Sequence, residues 1–410
     1  MQRNRIFGAV LGEAIGDAIG HPIEDKWAGT EDKQVDGLLD DNKFTDDTQM
    51  FCAIGEAMLA SPPHESEEKF MVTLSEKFEE WRKNPLGGSH RAPGGNCMES
   101  VRKLGAGISW RKAGGLDYKG NGTAMRSGIV GCMYWQNPEF AFRIGCLTSV
   151  PTHNNLEPIL AAGTVAYLVA AQIKGFTFNE AVANVLILCA DYNNPYRVPL
   201  YPREVKIGSE YHDQNPTYAV ALFGAAYALG QTPTVDIKEA VHALQDPSSV
   251  VRDGAAVPAV AEAIFFNSLY GEGRRARGSG QFDERFSDTV ITAANNSDDT
   301  DTIAAISGCI MGARLGASNI PSEWTAKIEL SDYLHNLAER IWGASSASFD
   351  EPLKPKDAVN MANPEIVGVL LAQQDFLDED LTDEDNRAFG VDAPIVAGVG
   401  DDNEDYEVEF

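Results

Sequence analysis

Asp298, Asp299 and Asp301 put three carboxylates within four residues, interleaved with Thr300 and Thr302, and an apolar, small-residue run follows with no further charge until Arg314. Like charges this close repel, so such a turn is either fully solvated or holds its oxygens around a cation. A second acidic turn, Thr45-Asp46-Asp47-Thr48, opens the helical run from Gln49 to Ala60. The two stretches are expected to face each other across a pair of divalent metals. Carboxylates and hydroxyls are hard oxygen donors suited to Mg2+ or Mn2+, and no thiolate or imidazole pair lies near them in sequence to favour zinc. A plainer reading of the second turn is an acidic cap, with Thr45 at the N-cap and Asp46 and Asp47 in the first turn. There the helix dipole stabilises a carboxylate by roughly 0.3–1 kcal/mol.

The elements that must position these groups read as helices. From Asn4 to Gly20, Ile6, Phe7, Val10, Leu11, Ala14 and Ala18 recur at helical spacing, and Gly8, Gly12, Gly16 and Gly20 fall every fourth residue on one face. Glycine costs a helix about 1 kcal/mol relative to alanine, so four in register imply a closely packed backbone. Gly308, Gly312 and Gly316 repeat the device after the triple-aspartate turn, and the two helices are expected to touch through these faces. His21-Pro22-Ile23-Glu24-Asp25 reads as a polar loop. Further helices are expected at 65–83, 97–104, from the Gly120 to Arg126 turn to about Trp135, and at 138–149, 157–174, 178–189, 217–229, 235–244, 257–269, 282–294 and 331–342. The Pro-rich stretch 191–215 reads as a long loop or lid, and Arg274, Arg275 and Arg277 read as a solvated Gly-rich turn, the alternative being a mobile basic loop that meets phosphates. No strand-rich region, repeat or dinucleotide fingerprint is present.

The formal charge of −28 argues against a nucleic-acid or anionic-membrane surface. From Asp375 onward fourteen acids face the single Arg387, a run that reads as a solvated tail. The organisation expected is one domain over 1–345 and an acidic, partly disordered extension over 346–410. The six cysteines form no C-x-x-C pair and suit buried, reduced thiols. Glu13 and Asp17 interrupt the N-terminal apolar run, which argues against a signal peptide, and no uncharged stretch approaches the ~20 residues of a membrane span. A cytoplasmic protein is expected.

Gly8-x-x-x-Gly12-x-x-x-Gly16-Asp17, Glu24, Thr45-Asp46-Asp47-Thr48, Ala92-Pro93-Gly94, Gly120-Asn121-Gly122-x-Ala124-Met125-Arg126, Thr152-His153 and Asp299-Thr300-Asp301-Thr302 follow one another in that order. In this the chain resembles the ADP-ribosylglycohydrolases, the family of dinitrogenase reductase activating glycohydrolase and the ADP-ribosyl-arginine hydrolases, over about residues 4 to 340. The resemblance implies an all-α orthogonal multi-helix fold with a binuclear magnesium or manganese site, its ligands Thr45, Asp46, Asp47, Asp299, Asp301 and Thr302. It implies that Glu24 lies near the metals and the substrate ribose, and that Gly120, Asn121, Gly122, Met125, Arg126 and His153 line the ADP-ribose cleft. The reaction would be hydrolysis of the bond joining ADP-ribose to a protein side chain, foremost arginine. Asp299, Asp47 or Glu24 would handle the proton. Hydrolysis of a serine, acetyl-ester or base conjugate, or a non-catalytic role on the same fold, are the alternatives. An ADP-ribosylated protein and a cognate ADP-ribosyltransferase are the partners that would follow. Two departures stand out: Ser297-Asp298 replaces the usual glycines, and Asn154-Asn155 follows His153.

Overall fold

The glycine register decides how the molecule is put together. In the computed structural model, which describes residues 1–24, 34–190, 216–245, 254–271 and 284–347, the first eight helices are α1 (Gln2–Glu24), α2 (Asp46–Ala60), α3 (Glu67–Lys83), α4 (Gly95–Gly105), α5 (Trp110–Ala113), α6 (Gly128–Met133), α7 (Pro138–Ser149) and α8 (Leu156–Lys174). The remainder are α9 (Phe178–Ala190), α10 (Pro216–Gln231), α11 (Ile237–Leu244), α12 (Ala256–Leu269), α13 (Arg285–Asn296), α14 (Thr300–Leu315), α15 (Ser322–Lys327) and α16 (Ser331–Ala347). A Cβ on Gly8, Gly12, Gly16 or Gly20 would collide with the carbonyl oxygen of Gly312, Gly308, Ala304 or Thr300 respectively. As the first number rises the second falls, so α1 and α14 run antiparallel with backbones in contact. The expected glycine-face contact is present. Its direction brings the C-terminal end of α1 to the N-terminal end of α14, where the aspartates are.

Around this pair the fold is all-α. Among the described residues the only β pairings are two isolated bridges, Gly115 with His153 and Gly120 with Ala255. Both hold loops near the α14 N-terminus. Helix α8 is apolar along nearly its whole length because it packs against α6, α7, α9, α12 and α14. It is long and apolar enough by composition to cross a bilayer, but 94% of its apolar window is buried inside the fold, as in a core helix. All six cysteines are free and buried, as expected.

Two local expectations need correction. Residues 21–24 are not a loop: α1 continues through Pro22 to Glu24. The hydrogen bond that Pro22 cannot donate is the one to the Ala18 carbonyl, a single loss near the end of a helix that is clamped from outside: Gly20 is locked against Thr300 and Asp301, and Thr300 Oγ1 donates 2.9 Å to the Gly20 carbonyl. The Gly120 segment does not run directly into a long helix either. It forms a 3-10 turn at Asn121–Thr123, and the short α6 begins only at Gly128. The 191–215 loop, the arginine-bearing turn and the acidic tail lie outside the described residues.

Candidate active site

The start of α2 is built on a carboxylate from α1. Asp17, fully buried, accepts from the Thr45 amide (2.9 and 3.0 Å), the Thr48 amide (3.1 Å) and the Thr48 hydroxyl (2.6 Å). It thereby satisfies amides that every helix start leaves without a partner. Thr45 is the N-cap, its Oγ1 accepting from the Asp47 amide at 3.3 Å. The Asp46 amide donates 3.1 Å to the Arg91 carbonyl, and the Arg91 guanidinium grips both oxygens of Glu329 at 2.6 and 2.9 Å. Asp46 and Asp47 are therefore buried on a turn fixed from two sides. The capping reading and the site reading describe the same residues.

Asp299 caps α14, and its Oδ2 accepts from Asn121 Nδ2 at 2.8 Å. Asn121 is itself held by its amide, 2.7 Å from the Gly254 carbonyl. Asp301 and Thr302 are buried in the first turn, with the Thr302 amide donating 2.7 Å to Asp301 Oδ1. The Thr300 hydroxyl is spent on Gly20, as described above. Asp298 is exposed and accepts from Gln245 Nε2 at 2.8 Å.

The electrostatics tie the two turns into one centre. Burial, followed by the charge of Asp17, holds the Asp46 and Asp47 carboxyls well above their ordinary range. Asp301 is raised likewise by burial and then by Asp47 and Asp299. Burial lifts Asp17 to about 6, against the hydrogen bonds from Thr48 and Thr45 that pull it down. Asp47 and Asp299 both act on Asp301, and α2 touches α14, so the two turns share a site. Asp47 Oδ2 is buried and makes no hydrogen bond, although Asp47 is only 3% exposed. A buried, unpartnered carboxylate oxygen among like charges is what a cation would neutralise, and the oxygen donors present fit a divalent one.

Sequence reasoning missed one donor. His21, Glu24 and Asp301 each offer an atom, and these atoms lie within 4.8 Å of one another. His21 and Glu24 share the last turn of α1 at a spacing of three. That signal was hidden by reading the segment as a loop. Glu262 was also missed: it is buried, its Oε2 lacks a partner, and burial and then the charge of Asp298 raise its pKa.

The expected cleft residues divide. Gly120, Asn121, Gly122 and His153 lie together, since a Cβ on Gly120 would stand 3.3 Å from His153 Nε2 and one on Gly122 would stand 3.4 Å from its Cε1. Met125 is buried just below, its Cε 3.9 Å from a Cβ placed on Gly122. His153 Nδ1 is 3.0 Å from Thr152 Oγ1, and burial, then Arg126, pushes the imidazole down to about 3, so it is neutral at physiological pH. Arg126 lies behind this wall with no exposed surface. It donates to the Thr148 carbonyl (3.1 Å) and Thr152 Oγ1 (2.7 Å), and its guanidinium stacks 4.6 Å over Phe78. In this structure it orders the His153 loop from below and offers no open face to a ligand.

The site is thus an acidic, cation-fitting centre in an all-helical body, its carboxylates gathered at the converging starts of two helices with a glycine turn and a neutral histidine alongside. The chain belongs to the ADP-ribosylglycohydrolase family, whose model matches residues 1–351. It is 24% identical over 353 residues to ADP-ribosylarginine hydrolase Tri1 of Serratia proteamaculans, covering 82% of this chain and 78% of that protein. It is also 24% identical over 374 residues to ADP-ribosylhydrolase ARH3 of Danio rerio, covering 83% and 91%. A solved structure described as an ADP-ribosylglycohydrolase-related protein complex superposes with a TM-score of 0.57 at 20% identity, covering 84% of this chain and 99% of that one. The chain is thus a glycosidic-bond hydrolase of this family.

Proposed function

We propose that the chain hydrolyses the N-glycosidic bond between ADP-ribose and a modified arginine side chain, reversing ADP-ribosylation of a protein. The observation that carries this reading is the convergence of Asp46, Asp47, Asp299 and Asp301 at two abutting helix starts, beside the Gly120 turn and His153. Two Mg2+ or Mn2+ ions, held by Thr45, Asp46, Asp47, Asp299, Asp301 and Thr302, would supply Lewis-acid polarisation of the ribose hydroxyls and of a water. The chain's own residues do the rest. Asp299 is only half-buried and is oriented by Asn121, so it is the carboxylate best placed to accept the proton of the attacking water. Asp47, sealed in and unpartnered on Oδ2, serves as a ligand, and Glu24 lines the ribose side. Neutral His153 and the Gly120 to Gly122 backbone give a contact surface that adds no charge to an already acidic cleft.

ARH3 stands at the same identity as Tri1 and its name specifies no arginine, so release from another conjugate, with serine as the case tested in parallel, is the second reading. Full-length protein with Mg2+ or Mn2+ is incubated with ADP-ribosyl-arginine and ADP-ribosyl-serine peptides, and free ADP-ribose is measured. Arginine release is expected, and it is expected to vanish in Asp46→Ala and Asp301→Ala while circular dichroism keeps the helical signal. Wild-type-like turnover by either variant would end the metal-site reading, and release from serine alone would replace arginine as the substrate.

A further inference from the structure

We infer that His21 is a direct nitrogen ligand of one divalent ion in this centre, giving that position a preference for Mn2+ over Mg2+. The inference rests on the metal-dependent reading above. It begins in the register of α1 on α14, which delivers the last turn of α1 to the first turn of α14. Pro22 does not end α1, so His21 and Glu24 stay one turn apart on a single face and project towards Asp301.

Three donor atoms, one each from His21, Glu24 and Asp301, lie within 4.8 Å of one another. Donors about 2.1 Å from a common ion stand roughly 3.0 to 4.2 Å apart, so modest side-chain rotation would seat all three. His21 Nδ1 is buried and stands 3.5 Å from Glu24 Oε2, at the long end of an ion-pair contact and with no shorter hydrogen bond. A divalent ion seated between these two groups would take the place of the imidazolium proton. Asp47 Oδ2 is likewise buried without a hydrogen-bond partner, and Asp47 is the neighbouring charge that acts most on Asp301. The donor set at this position is therefore not all oxygen. An imidazole ligand binds Mn2+ and the later first-row ions better than it binds Mg2+, which prefers oxygen and water.

The test uses the full-length protein loaded with Mn2+ and read by electron spin-echo envelope modulation. Nitrogen-14 modulation is expected in the wild type and is expected to disappear in His21→Gln, with the fold checked by circular dichroism. Mn2+ titration should show affinity falling by about tenfold or more in His21→Gln, while Mg2+ affinity changes less than about twofold because Mg2+ gains little from the imidazole. A nitrogen-free spectrum from Mn2+-loaded wild type overturns the inference. So does nitrogen modulation that persists unchanged in His21→Gln, or equal losses for the two metals. Those results leave the metal-dependent reading intact. A wild type that binds no Mn2+ at all removes both.

Discussion

Gly12→Ala isolates the contact on which the site's geometry depends. A Cβ at Gly12 would overlap the Gly308 carbonyl oxygen, stand 2.9 Å from the Gly308 carbonyl carbon and lie 3.1 Å from Phe286 Cε2. Two of those atoms are backbone of a buried helix and cannot turn aside, so α1 and α14 must separate. Overpacking of this kind costs about 1–3 kcal/mol and sometimes more. Because the Gly308 backbone cannot yield, the upper end applies. Helix propensity returns about 1 kcal/mol on replacing glycine with alanine. The net expectation is destabilisation of about 2 kcal/mol. Gly343, on the exposed face of α16, provides the control, since nothing lies within 4 Å of a Cβ placed there. The same substitution at Gly343 should stabilise by about 0.5–1 kcal/mol. Urea unfolding followed by circular dichroism measures both. Gly12→Ala at or above wild-type stability, with Gly343→Ala as the positive reference, would refute the backbone contact between α1 and α14.

Two further outcomes follow from buried acids on α1. Asp17→Asn loses the carboxylate that accepts from Thr45 and Thr48, so the α2 start loosens and Mn2+ affinity should fall by about 10–100-fold, read by calorimetry. Glu13 has both oxygens buried without a hydrogen-bond partner, and burial, then the charge of Asp17, raises its pKa well above the ordinary 4.5. A raised acid means the folded state holds the proton longer, so this contribution is fully present below pH 4.5 and is lost as pH rises towards the folded value. As pH rises above 4.5 the wild type should lose stability relative to Glu13→Gln, measured by urea unfolding at a series of pH values from 4.5 upward. Parallel pH profiles for the two proteins would contradict it.

The sequence carried the fold wherever a costly residue needed a reason. Glycine every fourth position is expensive in a helix, and only a touching backbone explains it, so the α1–α14 contact was readable before any coordinates. The paired acidic turns were readable for the same cause, because repelling carboxylates at two helix starts call for a shared neutraliser. What stayed hidden was anything whose meaning lies in a partner far along the chain. Asp17 looks like one polar residue in an amphipathic helix until the Thr45 and Thr48 amides are found on it. Asn121 reads as turn chemistry and proves to be what aims Asp299. Arg126 shares a motif with cleft residues, yet the packing of Phe78 and Thr152 draws it beneath the surface.

The His21 turn shows how one local misreading propagates into chemistry. Proline is a sound stop signal, because it removes a hydrogen bond and crowds the carbonyl four residues back. Here the lost bond is the one to the Ala18 carbonyl, in the last turns of a helix whose end is held from outside by the packing of Gly20 on Thr300 and Asp301 and by Thr300 Oγ1 donating to the Gly20 carbonyl. The helix therefore runs one more turn for little cost, and that turn carries His21 and Glu24 on one side. Had the segment been a loop, its imidazole would have had no fixed place and an all-oxygen centre would have been the natural expectation. With the turn in place, the glycine register that fixes α1 against α14 also fixes a nitrogen donor against Asp301. Under the proposal above, the same pair of helices would set both the backbone packing and the choice of metal.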